Sequence, residues 1–149
     1  RTYLAMVVGV PVINKTINEP IGRHPKIRTK QAVSQNGKEA ITRFSILENL
    51  DGYSLLKVNL ETGRTHQIRV HLSLIGFPII GDPLYGSRNK FSRGSSEEQK
   101  KIISNFKRQA LHAKELELNH PSSGELLLFK APMPSDMQTL LNQIKVNGS

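Results

Sequence analysis

The chain has 149 residues, with 21 Lys and Arg against 12 Asp and Glu (a formal charge of +9) and no cysteine. Disulfides and thiolate metal sites are therefore excluded, no apolar run approaches the ~20 residues of a membrane-spanning helix, and the length suits one domain with a genuine core. Basic residues are concentrated, eight Lys/Arg against two Glu in residues 1–43 and seven against two in residues 88–108; this fits a phosphate-rich partner, and charge alone fits a solvated surface equally well.

The chain opens on Arg1-Thr2-Tyr3, and residues 3–10 form a β-branched run ended by Gly9 and Pro11, read as a buried strand and a turn. A strand this close to the first residue leads to the expectation of a piece cut from something longer. Residues 11–37 are polar and basic, with short strands or extended chain around Ile27 to Val33 closed by a hairpin-type turn at Asn36-Gly37. Ala40 to Glu48 and Tyr53 to Leu60 read as an antiparallel pair joined by a turn over Asn49 to Gly52.

From about Arg64 the period becomes helical, with Ile68, Leu72 and Ile75 on one stripe that Val70 and Leu74 widen, stopped by Gly76 and Pro78. Residues 86–96 are polar, basic and flanked by glycine, the expected mobile loop. Ser96 with Gln99 forms a capping box for a basic helix through Phe106. Leu111 to Leu118 and Glu125 to Phe129 read as strands around Pro121-Ser122-Ser123-Gly124, and Ser135 precedes an amphipathic helix with Met137, Leu140, Leu141 and Ile144. The class is α+β, a mainly antiparallel mixed sheet flanked by a few helices.

Chemistry concentrates in residues 60–72, where Arg64, His66, Gln67, Arg69 and His71 share one short amphipathic segment. A helix over residues 65–75 puts Thr65, Arg69 and Ser73 on one polar face with His66 beside them. Gly63 permits a tight turn, and first-turn N–H groups with an arginine fork suit an oxygen anion. The same residues fit an ordinary helix whose arginines pair with surface acids. A partly buried Arg69 needs an acidic partner; the motif supplies none, which leaves one elsewhere in the chain or on a piece not present. His66 and His71 are badly spaced for one metal, and Asp82 before Pro83 reads as a turn former.

The run Leu60-Glu61-Thr62-Gly63-Arg64-Thr65-His66-Gln67-Ile68-Arg69-Val70-His71-Leu72, then Gly76 to Gly86 through Gly81-Asp82-Pro83-Leu84-Tyr85, resembles the signature of the RluA/RluD-type pseudouridine synthases. Tyr3 to Gly9 resembles the strand carrying that family's active-site tyrosine. Gln109 to Ala113, His120-Pro121 and Ala131-Pro132 resemble its C-terminal strands. The resemblance implies isomerisation of uridine to pseudouridine in structured RNA, ribosomal more than transfer RNA, in the cytoplasm and without cofactor, metal or membrane. It implies an Asp that attacks uridine at the base or the sugar, Tyr3 stacking on the base, and Arg69 holding that Asp ionised. Arg64, Thr65, His66, Lys90 and Arg93 are the expected RNA contacts.

The family's Asp belongs to a His-Arg-Leu-Asp motif, whereas this chain has only Asp51, Asp82 and Asp136, none in such a setting. The whole of residues 1–149 is therefore expected to be the C-terminal part of a catalytic domain, inactive by itself, with Arg69 matched to an aspartate the chain lacks. The rival reading is a non-catalytic RNA-binding domain using residues 15–43 and 88–108. A DNA-binding module is weaker, since no helix-turn-helix or zinc-finger pattern appears.

Overall fold

Residues 2–8 are apolar at nearly every position, the pattern of a strand covered on both faces, and they lie in the interior of the sheet. The computed structural model describes residues 1–86 and 90–147. In chain order it contains β1 (Thr2–Val8), β2 (Lys15–Asn18), β3 (Ile21–Arg23), β4 (Gln31–Val33), β5 (Ile41–Asn49), β6 (Tyr53–Leu60), α1 (Gln67–Leu74), α2 (Glu97–Asn105), β7 (Leu111–Asn119), β8 (Leu126–Lys130) and α3 (Ser135–Asn147). Six strands form one sheet in the order β2-β5-β6-β1-β7-β8, and β3 pairs with β4 in a small second sheet. Every one of these pairings is antiparallel.

The β5–β6 hairpin turns through Asp51 and Gly52, both with positive φ (58° and 95°), and Leu50 N–H reaches the Tyr53 carbonyl at 2.7 Å. This two-residue Asp-Gly turn matches the twist of the strands it joins. Its register sets Thr42, Phe44, Val58, Leu56, Tyr3 and Ala5 on one face of the sheet, and Leu55, Leu4 and Met6 on the other. Helix α1 covers the first face, since its Gln67 and His71 bond Thr42. Helices α2 and α3 pack together, and Lys145 of α3 reaches Glu48, whose register partner Leu55 belongs to the second face. Met137, Leu140, Leu141 and Ile144 are the buried stripe of α3, each contributing roughly 1.5–3 kcal/mol by leaving water.

One expectation changes. The strand near Ile27 to Val33 shrinks to Gln31–Val33 and pairs with the preceding β3, while Asn36-Gly37 leads only to a single bridge between Ile21 and Lys38. Residues 23–30 alternate no apolar side chains and hold Pro25, so nothing extends the ladder. The proposed mobile loop, residues 86–96, falls partly on 87–89, outside the described residues. Its second half is tied to the sheet: Ser92 N–H donates to the Tyr53 hydroxyl (3.0 Å), which also meets Ser95 Oγ (2.7 Å).

Candidate functional site

The chain leaving α1 turns back along the sheet, and that return builds the site. Val8 N–H donates to the Pro78 carbonyl, Ile80 N–H to Met6, and Ala110 N–H to Ile80, so residues 78–80 lie beside the end of β1. Gly81 follows at φ 78°, with the Arg108 carbonyl and the Phe106 ring where a Cβ would stand. Only glycine fits both demands, and the turn delivers the next residue, Asp82, to Arg69.

Arg69 donates from Nε to Asp82 Oδ2 (2.9 Å) and from Nη2 to Oδ1 (2.8 Å), a two-bond fork in which the aspartate side chain is fully buried and the arginine 11% exposed. Oδ1 also accepts the N–H groups of Leu84 (2.9 Å) and Tyr85 (3.1 Å). Burial alone would raise the Asp82 pKa; the Arg69 hydrogen bonds, the two backbone donors and the arginine's charge outweigh it, and the carboxyl is held below its ordinary value. Asp82 in turn raises the Arg69 pKa through the same hydrogen bonds. Of the two places left open for an acidic partner of Arg69, the structure fills the one within the chain: Asp82 lies 13 residues downstream, in the turn itself. A carboxylate shielded from water needs a cation, and the arginine of the adjoining helix supplies one.

A second layer surrounds the pair. The Tyr85 ring lies 5.0 Å from the Arg69 guanidinium carbon and 5.7 Å from Lys30 Nζ. Its hydroxyl accepts Gln31 N–H (2.8 Å) and meets His66 Nδ1 at 2.6 Å, while the two rings stand edge to face. Burial, then the Arg69 charge, pushes the His66 pKa down against a smaller opposing pull from Asp82, so His66 is neutral at pH 7 and its Nδ1 can accept the Tyr85 proton. His66 adopts φ 57°, a left-handed backbone rare outside glycine, and the helix starts one residue later. The tight turn expected of Gly63 is therefore made by His66.

Gln67 and His71 serve the interior. Gln67 Oε1 accepts from Arg64 N–H and the Thr62 hydroxyl, and its Nε2 donates to the Ile41 carbonyl and Thr42 Oγ1. His71 Nδ1 meets Thr42 Oγ1 (2.8 Å) and Nε2 meets the Glu19 carbonyl (2.8 Å). Two of the five polar residues that suggested an anionic ligand, Gln67 and His71, are thus taken up by a closed internal network.

The remaining expected residues are dispersed. Tyr3 is half-buried on β1, on the sheet face that α1 covers, and no hydrogen bond or ring contact joins it to Arg69 among the described residues. Arg64 Nε donates to the Glu39 carbonyl (2.8 Å), and Thr65 is exposed just before α1. Lys90 lines a cavity of about 450 Å³ with Asp82, Phe106 and Lys107, and Arg93 is exposed beyond it. Of the expected set, the structure gathers only Arg69 and His66. Asp82, Tyr85 and Gln31 were missed; the available signal was the Gly81-Asp82-Pro83-Leu84-Tyr85 turn following directly on the helix.

The family profile for RNA pseudouridylate synthases matches residues 1–74. Over 149 residues the chain is 46% identical to the ribosomal large subunit pseudouridine synthase D of Xanthomonas campestris, an alignment spanning 100% of this chain and 45% of that protein. It is 48% identical over 145 residues to the protein of the same name from Nitrosomonas europaea, spanning 97% of this chain and 41% of the relative. The structure of human RNA pseudouridylate synthase domain containing 4 superposes with a TM-score of 0.71 at 25% identity, covering 97% of this chain and 61% of that one. The chain thus spans a little under half the length of these two bacterial relatives.

Proposed function

This chain belongs to the RluA/RluD-type family of pseudouridine synthases, and from that premise we propose that it forms the C-terminal part of a catalytic domain isomerising uridine to pseudouridine in RNA. The observation that carries the reading is the state of Arg69. Two of its nitrogens grip Asp82, while the third, Nη1, has no hydrogen-bond partner among the described residues. Nor is Nη1 sealed: Gln99 Nε2 is the one fully buried side-chain polar atom there without a partner. A guanidinium fixed on one edge and open on the other can receive a second carboxylate.

In this reading Arg69 holds the reacting aspartate ionised, because an opposite charge within a few Å lowers a carboxyl pKa. Tyr3 stacks on the flipped base, and Arg64, Thr65, His66, Lys90 and Arg93 contact the RNA. Asp82 is unsuited to attack, being buried with four donors on it, and Asp136 pairs with Arg108 at 2.8 Å. By the family resemblance the attacking carboxylate belongs to a His-Arg-Leu-Asp segment outside residues 1–149, and these residues alone are inactive. Ribosomal RNA is the proposed substrate, supported by the names of the bacterial relatives.

Pseudouridine in transcribed ribosomal RNA, counted by mass spectrometry, tests this in the full-length protein. Arg69→Ala should lower turnover by roughly 10²–10³-fold or more, the scale of losing one preorganised charge donor, with RNA binding largely kept. Turnover at the parent rate would remove Arg69 from catalysis, and product formed by residues 1–149 alone would refute the absent nucleophile.

A further inference from the structure

The pairing of Arg69 with a buried acid raises the question of what that acid is for. A salt bridge kept only for stability is a weak device, since two ions must leave water and well-packed apolar residues often do as well. Here the fork is bidentate, the aspartate side chain has no exposed surface, and the arginine keeps 11%. Asp82 is itself immobilised by Leu84 N–H and Tyr85 N–H, and its backbone is fixed by the glycine turn against Arg108 and Phe106. The Tyr85 ring, anchored through its hydroxyl to Gln31 N–H, stands 5.0 Å from the guanidinium. Every one of these contacts removes a rotation from Arg69, and none occupies Nη1.

We infer that Asp82 is a positioning residue: it holds the Nε–Nη2 edge of Arg69 so that the Nη1 edge is presented, already oriented, to the carboxylate that performs the chemistry. Arg69 is then a planar bridge between two carboxylates, one structural and one reacting. A long flexible side chain left free would lose rotamer entropy on each encounter, and its pull on the reacting carboxyl would weaken with misalignment. Lysine cannot substitute, because one ammonium lacks the paired, coplanar donors.

This inference rests on the role proposed above for Arg69, and its test separates the two. In the full-length protein acting on transcribed ribosomal RNA, Asp82→Asn and Asp82→Ser should lower kcat by roughly 10–100-fold with KM changed less than about twofold. The serine hydroxyl still accepts the turn's N–H groups, so that variant keeps the fold while releasing Arg69. The acid limb of the kcat profile should move to higher pH, toward an ordinary carboxyl value, as the reacting aspartate loses its oriented cation. Asp82→Glu should recover part of both, and Arg69→Lys should resemble Asp82→Ser. Unchanged kcat and acid limb with only a lower Tm would overturn the positioning role, as would an acid limb moved to lower pH, which would mean Asp82 merely offsets the Arg69 charge. If Arg69→Ala turns over normally, the reading of Arg69 itself fails. If Arg69→Ala is dead and the Asp82 variants are normal, only the positioning role falls.

Discussion

His71 has both ring nitrogens engaged inside the protein, Nδ1 with the Thr42 hydroxyl and Nε2 with the Glu19 carbonyl, and it has no exposed surface. The Glu19 carbonyl can only accept, so the proton of the neutral imidazole sits on Nε2, and Nδ1 accepts from the Thr42 hydroxyl. Burial lowers its pKa, against weaker opposing effects of Glu19. The unfolded chain therefore takes up this proton at a higher pH than the folded one, near the ordinary histidine value of about 6.5. The stability it confers is complete above that pH and is lost as pH falls below it toward the folded pKa. His71→Gln can still donate to Glu19 but loses Thr42. It should cost about 1–3 kcal/mol at pH 7.5 and flatten the decline in urea midpoint between about pH 6.5 and 5.5. Equal declines in both proteins would show that His71 is not the titrating group. His66, whose pKa is also lowered by burial and the Arg69 charge, contributes to the slope that remains.

At the level of elements, α2 illustrates a local signal that survives folding intact. Ser96 Oγ accepts Gln99 N–H at 3.0 Å and the Gln99 side chain accepts Ser96 N–H at 3.2 Å, the capping box expected from the spacing. Ser96→Ala should destabilise by about 1 kcal/mol, a fall in Tm of roughly 2–4 °C for a domain of this size; no measurable fall would mean that tertiary packing alone holds the helix end. Helix α1 behaves differently. It lacks a side-chain cap, begins after a left-handed histidine, and buries Ile68 and Leu72 in the main core while Val70 packs with Ile21 and Ala40. Packing on several sides therefore sets its start, which is why the periodic pattern misplaced Thr65 and His66 inside it.

Over the whole molecule the positive charge divides into paired and available parts. In the second basic run Arg108 is held by Asp136 and Lys100 approaches Glu97, whereas Lys90, Arg93 and Lys107 are exposed without a salt bridge among the described residues. Arg23, Lys26 and Arg28, around the β3–β4 turn, are likewise exposed. If RNA lies across these surfaces, neutralising Lys90, Arg93 and Lys107 together should weaken binding and reduce the slope of log K against log salt by roughly one for each phosphate no longer neutralised. An unchanged slope would identify those charges as plain surface. The far edge of the sheet is less polar: Leu118, Leu126, Leu128 and Phe129 of the β7–β8 hairpin are each more than half exposed, a surface that invites association with other chain.

The sequence by itself determined the long strands, the capping box, the final helix and the family, because each rests on periodicity, turn chemistry or a contiguous motif within a few residues of chain. The helix motif also pointed to Arg69, though not to its partner. Only the tertiary structure decided that Gln67 and His71 face inward and that Asp82 closes on Arg69. Those outcomes depend on residues 78–80 lying beside β1 and on a glycine turn packed against Arg108, where segments far apart in the chain meet. A local pattern records which residues can bear charge; only the fold determines which two charges are shut away from water together.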